Sequence, residues 1–140
     1  MADTGKEHLV FASGAGLFAV PADRASEVVN VPKLTRVPGA PAHVIGVFAH
    51  RGEVLPVVDL SLLLGSAPTA NPKRVVVFRV AKGAVAVAAL KVAGVTEVDG
   101  SQAPLGGGVK AHLRGPVRAA LGDVVVVDPE GLFEFLSAGA

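Results

Sequence analysis

The sequence contains no cysteine, which excludes disulfide bridges, thiolate zinc sites and cysteine nucleophiles. Tryptophan and tyrosine are absent as well, so six phenylalanines supply the whole of the 4% aromatic share. Base-stacking platforms and aromatic interface anchors are therefore scarce. Any binding surface must be built mainly from aliphatic and charged side chains.

An excess of one charge is also missing, because 13 Lys and Arg stand against 12 Asp and Glu, for a net charge of +1. A protein that neutralises nucleic-acid phosphates usually carries a clear basic excess. We therefore expect no nucleic acid among the partners. With 51% hydrophobic and 18% charged residues, the chain is too apolar for disorder, and its length predicts one domain over residues 1–140.

Long hydrophobic runs are absent too. The longest stretches free of charge, such as residues 9–22, are interrupted by glycine and proline and fall short of the ~20 apolar residues of a membrane span. Residues 1–6 are polar and of mixed charge, unlike a secretory signal. We expect no direct membrane insertion and a cytoplasmic location.

Short valine-rich runs separated by glycine and proline dominate what is present. Such runs predict β-strands, and glycine between them predicts tight turns, because glycine adopts the positive φ that such turns need. The predicted strands are residues 9–12, 17–20, 44–48, 54–58, 75–78, 85–90, 95–98 and 124–127. The predicted hairpin turns are at residues 14–16, 51–52, 82–83 and 121–123. The sheets are therefore expected to be mostly antiparallel.

Helical periodicity is weak along the whole chain. Three short segments are candidate helices: residues 23–29, residues 59–64 after a capping Asp59, and residues 129–136 with a Pro-Glu start. Because these segments cover few residues, the sequence predicts an all-β fold with short helices.

No pattern of reactive side chains indicates an enzyme. His8, His43, His50 and His112 have neither the spacing nor the HExxH context of a metal site. The Gly-Ala-Gly turn at residues 14–16 lacks the third glycine of a dinucleotide-binding motif, and neither a GxSxG elbow nor a carboxylate pair stands out. We expect no catalytic residue, no cofactor and no metal.

Charge placement leaves two features to interpret. Lys73, Arg74, Arg79 and Lys82 form a local basic cluster, which we interpret as the solvated edge of a strand. Arg51 lies in a predicted turn between two apolar strands, where an exposed guanidinium can reach a partner. Ordinary surface charge is the alternative interpretation of Arg51.

The stretch VPGAPAHVIGVFAHRGEVLPVVDL at residues 37–60 carries a recognisable motif. It resembles the CheW family of chemotaxis coupling proteins, whose hallmark is approximately P-x-x-I-x-G-V-x-N-x-R-G-x-V-x-P-V-x-D-L. The residues on this pattern are Gly46, Val47, Arg51, Gly52, Val54, Pro56, Val57, Asp59 and Leu60. The resemblance extends to an opening hairpin and to the closing strands, and so covers nearly the whole chain.

Some positions depart from the family pattern. Ala49 and His50 replace the usual Asn-hydrophobic pair before Arg-Gly. Ala25 stands where a larger aliphatic residue is common, and Lys91 where many members carry an acidic one. These departures bear on which receptor and kinase the protein serves.

The resemblance implies a fold of two small five-stranded SH3-like β-barrels that share a hydrophobic core within a single CheW-like domain. Several motif residues are then expected to be structural. Gly46 and Gly52 belong to this group, with Gly52 forming the tight turn. Pro56 suits an edge or bulge position, and Asp59 caps the short helix that follows.

The resemblance also implies a non-catalytic adaptor that links the cytoplasmic tip of a chemoreceptor to the regulatory domain of a CheA-type histidine kinase. A groove between the barrels is expected to accept a receptor helix, with Arg51 and Glu27 orienting it at the rim and Val54 in contact. The alternatives are a small β-barrel module that binds single-stranded nucleic acid and an enzyme with convergent polar groups. The aromatic-poor, charge-balanced composition favours the adaptor.

Overall fold

The structure, a computed structural model, describes residues 6–99, 101–107 and 112–137, and within them ten strands form two five-stranded sheets. The first sheet has the strand order β8-β1-β2-β10-β9 and the second β3-β6-β7-β5-β4. The elements are β1 Lys6–Ser13, β2 Gly16–Pro21, β3 Ala25–Asn30, β4 Val44–His50, β5 Glu53–Val58, α1 Leu60–Leu63, β6 Arg74–Val80, β7 Gly83–Ala89, β8 Lys91–Val98, β9 Leu113–Ala119, β10 Gly122–Val127 and α2 Pro129–Ser137.

The all-β prediction is confirmed, and each of the eight predicted strands lies in an observed strand to within one residue. The four predicted turns join β1 to β2, β4 to β5, β6 to β7 and β9 to β10. Pairing is antiparallel except where β10 meets β2 and β5 meets β7. In each sheet, the parallel contact joins one hairpin to the other.

Two strands were not predicted. Residues 23–29 were expected to form a helix, and this prediction is wrong, because β3 pairs with β6 from Ala25 to Asn30. β3 is an edge strand with alternating half-buried and exposed residues, so it lacks the apolar run of the other strands. β9 also lacks such a run, because Arg114, Gly115 and Pro116 interrupt its apolar residues. Backbone pairing in the sheet overrides the weak local preference.

The continuous apolar runs arise because many strands are buried on both faces. In β6, Val76 and Phe78 enter a core shared by both sheets, whereas Val75 and Val77 enter the interior of the second sheet alone. A third cluster fills the interior of the first sheet. Each half therefore has its own small core, and the shared core holds the halves together, as the resemblance implied.

Each sheet curls until its edges approach. The segment after β3 forms an isolated bridge from Thr35 to Val47 in β4, and the segment after β8 forms one from Pro104 to Arg114 in β9. Backbone pairing does not close either sheet into a complete barrel. The arrangement is nonetheless SH3-like, as expected.

The two halves repeat one another in topology and in sequence. In each, an edge strand, a hairpin, a parallel contact and a second hairpin follow in the same spatial order, and a helix follows the second hairpin. A shift of 69 positions without gaps superposes residues 43–63 on residues 112–132. The identical pairs are His43 and His112, Gly46 and Gly115, Val57 and Val126, Val58 and Val127, Asp59 and Asp128, and Leu63 and Leu132.

Backbone hydrogen bonds follow the same repeat. The Asp59 N–H donates to the carbonyl of His43 over 2.9 Å, and the Asp128 N–H donates to the carbonyl of His112 over 2.9 Å. We call the first sheet with α2 the first half and the second sheet with α1 the second half. Each helix leaves its own half and packs on a hairpin turn of the other.

A buried polar network holds α1 on the turn between β1 and β2. Asp59 caps α1 as predicted, since its carboxylate accepts from the Ser61 N–H, the Thr69 N–H and the Thr69 hydroxyl. The Ser61 hydroxyl accepts from the Ala15 N–H, and the Thr69 hydroxyl accepts from the Gly14 N–H. These hydrogen bonds join α1 to the turn at several points and so fix its position there.

Three further predictions about the fold have clear outcomes. α2 begins at Pro129, as predicted, with Glu130 in its first turn. Pro56 lies in an interior strand, but the pairing of β5 with β7 begins only at Val57, so Pro56 occupies a local edge position. The basic cluster around Arg79 does not mark a sheet edge, because β6 lies between β3 and β7, and that interpretation was wrong. Neither α1 nor α2, the helices of the described residues, has the length and apolar character of a membrane span.

Candidate functional site

The turn between β4 and β5 places Arg51 in an unusual backbone conformation. Arg51 has φ 52° and Gly52 has φ 82°, so both central residues of this two-residue turn are left-handed. Such a turn matches the twist of a hairpin and favours Asn or Gly at both positions. Gly52 is the expected turn residue. Arg51 is not favoured there, and a strained residue of this kind is typical of a binding site.

Arg51 is held by a glutamate from the opposite edge of the same sheet. Its Nε donates to Glu27 Oε1 over 3.0 Å. The same oxygen lies 3.3 Å from His50 Nε2, although the two are not aligned as a hydrogen bond. Because β3 and β4 are the two edge strands of the second sheet, this cluster of Glu27, His50 and Arg51 links its edges through side chains.

The cluster fixes the charge state of Glu27. The hydrogen bond from Arg51 lowers the pKa of the Glu27 carboxyl, partial burial opposes this shift, and His50 adds to the lowering. Glu27 is therefore ionised at neutral and mildly acidic pH.

A second ion pair lies beside the cluster. Glu53 pairs across the hairpin with His50, and its carboxylate accepts from Arg79 Nη1 over 3.1 and 3.2 Å. Both side chains of this pair are about half exposed, so the pair contributes little to stability.

An apolar groove of about 490 Å³ lies on the other face of the same hairpin. Alternation along β5 turns Leu55 and Val57 into the core of the second half and turns Val54 outward, where it is 70% exposed. Phe133 and Leu136 of α2 form the facing wall. The groove thus lies between the second sheet and the helix that follows the first.

Gly83 allows α2 to approach the second sheet. A Cβ at this position would lie 2.8 Å from two ring atoms of Phe133. The glycine was expected to supply a positive φ, and this is wrong, because its φ is not among the left-handed ones. Its function is to leave room for the phenyl ring that walls the groove.

The predicted site residues therefore fall into two places. Arg51 and Glu27 are in contact, while Val54 lies on the opposite face of the hairpin, in the groove. His50 and Phe133 belong to these places as well and were not predicted as site residues. His50 stood out in the sequence only as a departure from the family motif, and nothing in the sequence placed Phe133 beside Gly83.

Gly46 and a polar cleft complete the candidates. A Cβ on Gly46 would lie 2.9 Å from Leu34 Cβ, so the glycine has a packing role in the second half. A cleft of about 310 Å³ near the start of α2 holds both basic and acidic groups, among them Lys6, Asp23 and the ion pair of Arg24 with Glu130. Among the described residues, no cluster of three metal-ligating side chains occurs.

Comparison with known proteins agrees with this architecture. The CheW-like domain family matches residues 7–136. The chain is 34% identical to Protein FrzA of Myxococcus xanthus over 121 residues, which cover 82% of this chain and 76% of FrzA. It is 41% identical to the chemotaxis protein CheW of Rhizobium meliloti over 61 residues, covering 44% of this chain and 39% of that protein.

A solved structure has the same fold. The scaffolding protein TtCheW of Thermoanaerobacter tengcongensis superposes with a TM-score of 0.76 at 20% sequence identity, covering 93% of both chains. Protein PilI of Pseudomonas aeruginosa is 36% identical over 69 residues, covering 48% of this chain and 39% of PilI. The shared sequence and the shared fold together identify a family.

Proposed function

Because the chain belongs to the CheW-like domain family of chemosensory scaffold and coupling proteins, we propose that it is a non-catalytic cytoplasmic adaptor. In this role it binds the tip of a chemoreceptor and the regulatory domain of a CheA-type histidine kinase, and residues 1–140 act as one domain. The chemistry of phosphoryl transfer then belongs to the kinase.

The observation that carries this proposal is the β4–β5 hairpin, which offers a charged tip and an apolar face at once. A helix with an apolar stripe fits a groove of about 490 Å³ walled by Val54 and Phe133. Glu53, which lines the groove, and Arg51, at the tip of the same hairpin, can then orient the helix and select its register. Receptor recognition through this hairpin uses aliphatic and charged groups, the groups in which the sequence is rich.

The charges of the described residues support a protein partner over nucleic acid. Arg24, Arg51, Arg79 and Arg118 each lie within 3.1 Å of a carboxylate oxygen. These four arginines attract phosphates weakly, because a carboxylate already compensates each of their charges. We therefore propose that the kinase and the receptor are the partners, and that the kinase contact uses a face away from Arg51.

The experiment is a charge reversal with a matched control. Arg51→Glu removes the contact with Glu27 and places two acids side by side, so receptor-tip binding should weaken by roughly 1 to 3 kcal/mol. Arg118→Glu makes the same change in the hairpin of the first half, where Arg118 pairs with Asp123 over 3.0 Å. Binding of a purified receptor-tip fragment and of the kinase regulatory domain is measured by calorimetry for both variants.

The outcomes separate the candidate functions. Weaker receptor binding by Arg51→Glu alone, with kinase binding intact, supports the adaptor and the place of its receptor contact. Equal receptor binding by the wild type and a folded Arg51→Glu variant contradicts the proposed contact. Saturable, salt-dependent binding of single-stranded DNA by the wild type would favour the nucleic-acid module instead.

A further inference from the structure

The histidine at the end of β4 occupies a position from which it can act on Arg51. His50 Nε2 is buried and has no aligned hydrogen-bond partner in the part of the chain that the structure describes. The ring is held by Phe48, with ring centroids 5.6 Å apart. Its nearest charged neighbour is Glu27 Oε1, at 3.3 Å. The ring is therefore fixed with its Nε2 beside a carboxylate oxygen that it shares with Arg51.

We propose that His50 is a proton-dependent positioning residue for Arg51: when protonated, it takes over Glu27 Oε1 and loosens the Arg51 guanidinium for an acidic group of the partner. Arg51 Nε and His50 Nε2 share this one oxygen, at 3.0 and 3.3 Å. An imidazolium and a guanidinium on one oxygen repel each other, and the more exposed side chain is the one that can leave. The side chain of Arg51 is 69% exposed and that of His50 only 13%.

The other charges near His50 stay constant over the range in which histidine titrates. Glu27 remains ionised because the pKa of its carboxyl is lowered by Arg51. Glu53, the cross-strand neighbour of His50, is paired with Arg79. Arginine stays charged throughout. Protonation of His50 therefore changes the cluster of Glu27, His50 and Arg51 from net neutral to net positive, which favours an acidic partner at lower pH.

This inference rests on the proposed function only in naming the receptor as the partner that Arg51 binds once it has left Glu27. Its first test needs no partner. The ¹H–¹⁵N signal of Arg51 Nε–H is followed from pH 8 to pH 5.5 in the isolated protein, together with the ring signals of His50. We expect the Nε–H signal to move upfield with the same midpoint as His50, because its hydrogen bond to Glu27 weakens.

Two variants make this test specific. In His50→Gln, which cannot become charged, the Arg51 signal should stay in place over the same pH range. In His112→Gln, which changes a histidine of the other half that lies beside Asp128 and away from this cluster, the signal should move as in the wild type. The proposal is overturned if the Arg51 signal does not move while the ring signals of His50 titrate. It is also overturned if the Arg51 signal moves by the same amount in His50→Gln.

The second test measures binding of the receptor-tip fragment at pH 6 and pH 8. The wild type should bind the fragment at least about threefold more tightly at pH 6 than at pH 8. His50→Gln should bind it equally at both pH values. If the affinity of His50→Gln for the fragment changes between pH 8 and pH 6 by the same factor as that of the wild type, the link between His50 and Arg51 is wrong. If the fragment binds at neither pH while the Arg51 signal follows His50, the positioning role stands and the receptor contact fails.

Discussion

The hairpins β4–β5 and β9–β10 occupy corresponding places in the two halves, yet they differ at their tips. The first has two left-handed turn residues, Arg51 and Gly52, and a glutamate from a distant strand holds its arginine. In the second, Arg118 pairs with Asp123 directly across the hairpin, and both are well exposed. The same scaffold thus carries a strained, shared cluster in one half and an ordinary surface pair in the other.

The two helix junctions differ in the same manner. α1 is fixed on its hairpin turn by the paired network around Asp59, whereas α2 meets its turn through Phe133 over Gly83 and leaves a groove open beside it. A fully paired polar junction specifies one geometry, and an apolar one leaves surface for a partner. The first junction therefore contributes mainly stability, and the second leaves open the apolar surface on which the proposed binding depends.

The largest expected effect concerns the two corresponding aspartates. Asp59→Ala leaves the buried N–H groups of Ser61 and Thr69 without acceptors, and it should lower the free energy of unfolding by about 3 kcal/mol or more. Asp128→Ala loses one cap contact, from the Gly131 N–H at 3.2 Å, and should cost about 1 kcal/mol. Urea denaturation of both variants measures the difference. Equal losses would mean that the two junctions are equivalent after all.

The next effect concerns the apolar junction. Gly83→Ala forces the Phe133 ring to move, because its atoms lie 2.8 Å from the added methyl, and should cost about 1 to 2 kcal/mol. Gly107→Ala adds the same methyl where nothing lies within 4 Å and should be within about 0.5 kcal/mol of neutral. Thermal unfolding gives the stabilities, and the ring signals of Phe133 report its movement. An unmoved ring in a stable Gly83→Ala protein would contradict the packing.

A smaller effect distinguishes the corresponding histidines in acid. Burial lowers the pKa of His43, whose Nε2 has no partner among the described residues and whose ring faces Phe135. The unfolded chain then binds the proton first, so stability should fall as the pH drops below about 6.5 and level off below the folded-state pKa. His43→Gln should lose this dependence while His112→Gln, whose ring has Asp128 4.0 Å away, keeps it. Denaturation midpoints at pH 7 and pH 5 measure this dependence of stability on pH. If the midpoint of His43→Gln falls as much as that of the wild type, the dependence does not come from His43.

The sequence predicted the parts of the fold that are buried on both faces. Runs such as residues 75–78 and 124–127 face two cores, so their valines identify them without any alternation. β3 is an edge strand with one buried face, and its polar alternation was mistaken for a short helix. The repeat at a shift of 69 positions was also present in the sequence, and comparing the two Val-Val-Asp runs would have found it.

The candidate site was less predictable than the fold. Arg51 stood out by its place in a turn, but its contact with Glu27 follows from the curling of a sheet whose edge strands are β3 and β4. Local patterns carry no information about such a closure. The family resemblance supplied Glu27, whereas His50 required the structure, because only the closed sheet brings its ring beside that carboxylate.

The smallest expected effect tests whether the strained tip serves binding at the expense of stability. Arg51→Gly relieves a left-handed residue, which costs about 1 to 2 kcal/mol in a non-glycine residue. It also removes an exposed ion pair worth about 0.2 to 1 kcal/mol. The net expectation is a gain of about 0.5 kcal/mol in unfolding free energy, with weaker binding of the receptor-tip fragment. The gain should be absent from Ala120→Gly, in the other hairpin, because Ala120 is not left-handed. A loss of stability in Arg51→Gly would show that the cluster with Glu27 and His50 stabilises the second half, and would contradict the idea that the strained tip is kept at the expense of stability.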